Sequence, residues 1–337
     1  MKKHLWAICY TAVLIAFTTF LALDTFVISK SYAAATDMNT EMFSGLSDSS
    51  KATVSTESVT QSEESLPEDN SGALSSDESD GSADDFVDKS SDTASVSASD
   101  AHTYSTDNYT ISLTEYDQYD TKIYVADIML SSAQYLKTAL ANDTYGKNIT
   151  EKTSEMAQEN NAVLAINGDY YGVQESGYVI RNGIVYRNTA KGCEVLCIYA
   201  DGTMDIVSDS EYSADELVEK GVWQAFTFGP SLVENSSVTV GVNDEVGKAK
   251  ASNPRTAIGM IDANHFVFVV SDGRTSESAG LSLYELATFM QGLGVKTAYN
   301  LDGGGSSTMY FNGSVVNNPT TGGSIKERGV SDIVYIG

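Results

Sequence analysis

Short apolar runs separated by glycine-marked polar turns dominate the C-terminal two-thirds of the chain. Runs at 124–130, 162–166, 193–199, 266–270 and 333–336 are rich in Val, Ile and Tyr and short enough to be strands. Helices are fewer but have clear starts. Ser213 with Glu216, and Ser282 with Glu285, have capping-box spacing, and Gly221 and Gly294 stand where helices end. A third helix is predicted over 150–160, before the 162–166 strand. These elements predict one globular α+β domain over 104–337, a mixed, strand-rich sheet core flanked by a few helices. One stretch departs from ordinary patterning: Asn300-Leu301-Asp302-Gly303-Gly304-Gly305-Ser306-Ser307-Thr308. An apolar approach from Val295 leads into it and Met309-Tyr310-Phe311 resumes after it. It reads as strand, sharp loop, strand, serving either as a flexible hairpin turn or as backbone brought close to a ligand.

The first third is patterned differently. Lys2 and Lys3 precede an apolar run over 5–23, long enough to cross a bilayer. Residues 1–30 are therefore expected to form a transmembrane signal-anchor, or a signal peptide cleaved near Tyr32-Ala33-Ala34-Ala35. Either places the remainder outside, attached to the cell membrane or secreted. Residues 31–103 carry 16 acidic against 2 basic side chains and almost no aromatics. Such a segment buries too little to offset ordering entropy and is expected to be a disordered, extended stalk. The whole chain has net charge −26, and its folded part is also acidic, which excludes nucleic acid as a partner.

The same inventory limits the chemistry. The histidines are His4, His102 and His265, and only the last lies within the domain. That leaves a Ser-His-Asp hydrolase and a histidine-rich metal site without material. No phosphate loop or dinucleotide fingerprint is present, so no cofactor is implied. No spacing demands a metal. Cys193 and Cys197 are four apart on one predicted strand, about 13 Å, too far for a disulfide. What remains is carboxylate and arginine chemistry at strand ends. Asp169, Asp272 and Asp302 offer acid, base or nucleophile. Arg255, Arg274 and Arg328 offer forks for phosphate.

Four segments in order carry a resemblance: Ile166-Asn167-Gly168, Asn253-Pro254-Arg255-Thr256-Ala257-Ile258-Gly259, Leu301-Asp302-Gly303-Gly304-Gly305-Ser306-Ser307-Thr308, and the stretch from Arg328 to Ile336. Together they resemble the phosphodiester glycosidase family over 162–337. After Asn-Gly the animal members place glycine and two phenylalanines, where this chain has Asp169, Tyr170 and Tyr171. The resemblance implies hydrolysis between a sugar's anomeric carbon and a phosphodiester on cell-surface glycans or exopolysaccharide. Asp302, then Asp169, is the expected carboxylate, with Arg255 as the catalytic cation. Arg328, Asp272, Asn167 and the backbone of Gly304, Gly305 and Ser306 would bind substrate, with Tyr170 and Tyr171 as a face for the sugar. Two other functions stay open: a non-catalytic module binding anionic polysaccharide, and a hydrolase of another phosphodiester.

Overall fold

Two long hairpins build the centre of the molecule. The Tyr109–Gln118 and Thr121–Leu130 strands pair along their length, as do Arg255–Asp262 and His265–Ser271. Val270 lies opposite Tyr124, which joins the hairpins. The computed structural model describes residues 5–35, 99–244 and 252–337. Its eight-stranded sheet runs Ser237–Val238, Ser231–Glu234, Thr297–Asn300, Arg255–Asp262, His265–Ser271, Thr121–Leu130, Tyr109–Gln118, Ser99–Ser105. A five-stranded sheet runs Ser314–Val315, Met309–Phe311, Leu164–Asn167, Asp332–Ile336, Leu136–Leu140. A second five-stranded sheet runs Met204–Ser208, Glu194–Tyr199, Val222–Phe226, Val179–Arg181, Ile184–Arg187.

The main core lies where the three sheets face one another. Ile128, Phe268 and Tyr299 meet Ile166, Met309 and Val334, with Leu196 and Phe226 closing the third side. The other face of the eight-stranded sheet is covered by the Leu283–Gly292 helix, whose Leu286 and Met290 pack on Ala257 and Val267. Burying each such side chain contributes about 1.5–3 kcal/mol. Ser282 and Ser213 cap their helices with Glu285 and Glu216, and Gly294 and Gly221 follow with positive φ. The helix expected over 150–160 is Thr153–Glu159.

The strand-rich α+β architecture matches the sequence reading, but the sheets are not mixed. Every strand pair among the described residues is antiparallel. Parallel neighbours need long crossovers, whereas hairpins supply the longest pairs here. The strand Ser99–Ser105 also begins ahead of Tyr104, where ordered sequence was expected to start. The remainder of the predicted stalk, 36–98, lies outside the described residues.

The expectation of an N-terminal membrane anchor is overturned. Leu5–Phe26 is one 22-residue helix, yet no helix among the described residues is long and apolar enough to cross a membrane. A membrane anchor, a membrane partner and a cell-membrane location therefore lose their basis. The physical reason is polar content. Thr11, Thr18 and Thr19 lie within the run and Asp24 and Thr25 follow it in the same helix, Thr18 bonds back to the carbonyls of Leu14 and Ile15, and Asp24 pairs with Lys30 at 2.7 Å. Lys30–Ser31 then pairs with Gly146–Lys147 of the folded body.

Candidate active site

The glycine stretch is not a hairpin turn. Its approach strand, Thr297–Asn300, lies within the eight-stranded sheet, whereas Met309–Phe311 lies in the neighbouring five-stranded one. The loop therefore crosses between sheets, and its ends are fixed by different cores. Leu301 is fully buried and donates its N–H to Thr256 at 2.9 Å. Gly304 has φ +64 and donates to the Pro254 carbonyl at 2.8 Å. A Cβ on Gly303 would stand 2.9 Å from that carbonyl oxygen, and one on Gly304 3.0 Å from a guanidinium nitrogen of Arg274. Glycine is required because the loop threads between a backbone and an arginine with no room for side chains.

Asp302 emerges at the start of this loop. Its Oδ2 accepts from the Ser306 hydroxyl at 2.6 Å and from Arg328 Nη2 at 2.8 Å. Arg328 Nε also donates to Ser306 Oγ at 3.0 Å, which closes a three-membered network. The Asp302 side chain is 13% exposed and that of Arg328 42%, so the pair sits at the surface end of a buried cluster. Burial pushes the Asp302 carboxyl above its ordinary range, while Arg328 and Ser306 oppose the rise.

Asn167 holds the loop from beneath. Its amide nitrogen donates to the Asp302 carbonyl at 2.6 Å. Its Oδ1 accepts from Thr256 Oγ1 at 2.8 Å and the Thr308 N–H at 3.3 Å. One side chain thus ties both ends of the loop to both sheets.

Deeper still lies a buried ion triad. Arg181 contacts Asp169 at 3.0 Å and Asp332 at 2.7 Å, all three side chains almost wholly buried. Its guanidinium also stacks over Phe226, 4.1 Å from the ring centre. Burial lifts Asp332 to about 7, with Arg181 opposing and the neighbouring Asp169 and Asp302 charges adding to the rise. Arg181 itself is raised by its two carboxylates despite its burial. Gly168 is needed here because a Cβ would fall 2.3 Å from Asp332 Oδ1.

The structure thus joins Asn167, Asp302, Ser306 and Arg328 in one network and separates other expected residues from it. Asp169 is interior: its oxygens accept from the N–H groups of Tyr171 and Thr227, both at 3.1 Å, besides Arg181. Arg255 is buried and turns to the Leu281 carbonyl at 2.8 Å, on the helix-covered face shared with Ala257. Its neighbour Thr256 takes the opposite face and reaches Asn167, as strand alternation requires. Asp272 is spent on chain positioning, accepting from the Asn318 N–H at 2.7 Å and from Asn317 Nδ2 at 3.2 Å. Tyr171 stacks on Tyr145 in the interior, while Tyr170 is 43% exposed. The backbone cradle expected from Gly304 to Ser306 is also partly closed. The Gly304 N–H goes to Pro254 and that of Ser306 to Gly303 at 3.3 Å.

Sequence reasoning passed over Arg181. It stands before an Asn-Gly turn, where arginine reads as exposed. The only available signal was its place at the end of the apolar Val179-Ile180 pair. Arg274 was among the arginines expected as forks for phosphate, though it lay outside the family-like segments. It is exposed, has φ +62, and is held by Asn253 Oδ1 at 2.8 and 3.1 Å while leaning over Gly304. Two accessible guanidinium groups therefore flank one glycine loop. Among the described residues, no group of three or more His, Cys, Asp or Glu side chains is placed to hold a metal ion.

The site is thus a carboxylate at the start of a glycine loop, paired with an arginine beside that loop, in a strand-rich α+β body. The chain belongs to the phosphodiester glycosidase family, whose model matches residues 160–337. It is 31% identical over 200 residues to an SPbeta prophage-derived protein, YomE, of Bacillus subtilis, covering 57% of this chain and 30% of that one. It is 31% identical over 134 residues to human N-acetylglucosamine-1-phosphodiester alpha-N-acetylglucosaminidase, covering 36% of this chain and 26% of the human one. The chain thus spans less than a third of the length of these relatives. The fold is similar to the zebrafish catalytic domain of that glycosaminidase, with TM-score 0.54 at 20% identity, covering 72% of this chain and 87% of that one. It is also similar to a Synechocystis protein, with TM-score 0.55 at 14% identity, covering 71% and 67%.

Proposed function

We propose that this chain hydrolyses the bond between the anomeric carbon of a sugar and a phosphodiester carried on a glycan, the exopolysaccharide class included. The observation that carries the reading is the Asp302–Arg328–Ser306 network beside Arg274 on one glycine loop. Water adds to the anomeric carbon, and the bond from that carbon to the phosphate oxygen breaks with its electron pair leaving on the oxygen. The water proton passes to the Asp302 carboxylate. The products are a free reducing sugar and a phosphomonoester.

The leaving group explains the choice of residues. A departing phosphomonoester gains a negative charge but is a stable anion, so proton donation to it matters less than charge stabilisation. Arg328 and Arg274 supply that stabilisation, and forked guanidinium donors suit phosphate oxygens. Asp302, already oriented through one oxygen, supports the positive charge that develops on the sugar ring. Asp169 and Arg255 take no direct part in this scheme, since both are buried and engaged elsewhere. They position the strands beneath the loop. The expected result is release of reducing sugar when the full chain is incubated with a methyl phosphodiester of α-N-acetylglucosamine 1-phosphate and related sugars. Folded protein that releases none across the panel sinks the proposal.

A further inference from the structure

An open groove of about 750 Å³ lies beside the glycine loop and outside the network just described. Phe228, Pro230, Val240, Leu283 and Tyr299 give it apolar walls, while Glu194, Ser231, Thr239, Asn243 and Asp244 place polar groups around them. Its volume is within the range of about 300–1,000 Å³ usual for sites taking small organic molecules. We propose that this groove is a glycan subsite, holding uncharged sugar units that extend from the sugar cleaved at Asp302.

Position is the first argument. Tyr299 lies on the strand that leads into the loop, three residues before Asp302, and Ser231 lies opposite it in the sheet. Gly229 is fastened to Asn300 twice, by Gly229 N–H to the Asn300 carbonyl at 3.2 Å and by Asn300 Nδ2 to the Gly229 carbonyl at 2.8 Å. The groove thus opens at the end of the sheet from which the glycine loop departs.

Chemistry is the second. Glu194 and Asp244 line the groove and no Lys or Arg is among its described lining residues, so these walls suit uncharged groups better than phosphate. Phosphate is matched instead by Arg274 and Arg328, which flank the loop. Sugar hydroxyls suit fixed acceptors, and Glu194 is fixed: its Oε2 accepts from the Ser231 N–H at 2.8 Å and its Oε1 from the Ser231 hydroxyl at 3.4 Å. The Tyr299 hydroxyl donates to the Glu194 carbonyl at 3.0 Å, which ties the Glu194 strand to the buried tyrosine beneath the groove. The half-buried side chains of Phe228 and Pro230, bordered by acceptors, suit the C–H faces and hydroxyl edges of a pyranose.

This inference rests on the proposed function for the identity of the chain bound, but its test does not need turnover. The probe is triacetylchitotriose, titrated into the full chain by calorimetry beside its cationic counterpart, the glucosamine trimer. Binding of the neutral trimer, weakened at least about tenfold in Glu194→Ala and in Asn243→Trp, supports the subsite. Both positions are exposed, and unchanged unfolding midpoints would show that the variants fold. The proposal is overturned if the neutral trimer does not bind, if only the cationic trimer binds, or if both variants bind the neutral trimer as wild type does. Trimer binding without hydrolysis of any donor would retain the subsite and remove the proposed reaction. Hydrolysis without trimer binding would do the reverse.

Discussion

Arg328 and Ser306 converge on a single oxygen of Asp302, at 2.8 and 2.6 Å. The carboxylate is thereby oriented by one oxygen while it stands at the margin of a buried cluster. Burial raises its pKa, and the arginine is the largest opposing influence. Replacing Arg328 by Gln removes that influence. Activity that needs ionised Asp302 should then lose its acid limb at higher pH than in wild type, with kcat/KM lower by about 10²–10³ at the optimum. A pH profile of kcat/KM checks the sign; an unmoved limb would separate the two residues functionally.

Gly304→Ala tests the close approach over the loop. A side chain at φ +64 costs about 1–2 kcal/mol, so the unfolding midpoint should fall modestly. The new Cβ would stand 3.0 Å from Arg274 Nη2 and displace that guanidinium. KM should rise more than kcat falls. Equal retention of both parameters would remove Arg274 from substrate binding.

Arg181→Met should be among the most destabilising single changes in the chain. It leaves Asp169 and Asp332 buried together without their shared cation, a loss of about 3–5 kcal/mol. Chemical denaturation measures it directly. A loss below about 1 kcal/mol would mean that the triad is not carrying charge.

Asp332 gives the triad a pH signature. Its folded pKa is raised to about 7 by burial, above its value of 3.8 in an open chain. Its contribution to stability is therefore complete below about pH 4 and lost as the pH rises to about 7, because unfolding releases a proton across that window. Asp332→Asn cannot titrate. The melting temperature of wild type relative to this variant should fall from pH 4 to pH 7; a flat difference would place Asp332 in the ordinary carboxylate range.

These residues also mark where sequence reading succeeds and where it stops. Ser213 with Glu216 and Ser282 with Glu285 were legible because capping is local, and the runs around Phe266 and Ile333 because strands show their periodicity. Asn167, Asp302 and Arg328 were recognisable from their motifs, though nothing local says that Asn167 bonds Thr256 across two sheets. Arg255 belongs to the same motif as Thr256, yet alternation along the strand sends it to the other face. Its direction depends on which sheet face meets which core, which is tertiary information. Arg181 was illegible for a similar reason: a buried arginine is recognisable only once Asp169 and Asp332 are brought beside it. The first 30 residues misled by length, since the helix that contains the apolar run also carries Asp24 and several threonines.

Hydrolysis in water enriched in oxygen-18 tests the central claim most directly, with a methyl phosphodiester of α-N-acetylglucosamine 1-phosphate as substrate and mass spectrometry of both products. Attack at the anomeric carbon predicts the label in the reducing sugar and none in the methyl phosphate, with turnover lowered by about 10³ or more in Asp302→Asn while its melting temperature stays near that of wild type. Label in the phosphate, or undiminished turnover by a folded Asp302→Asn, would contradict the account.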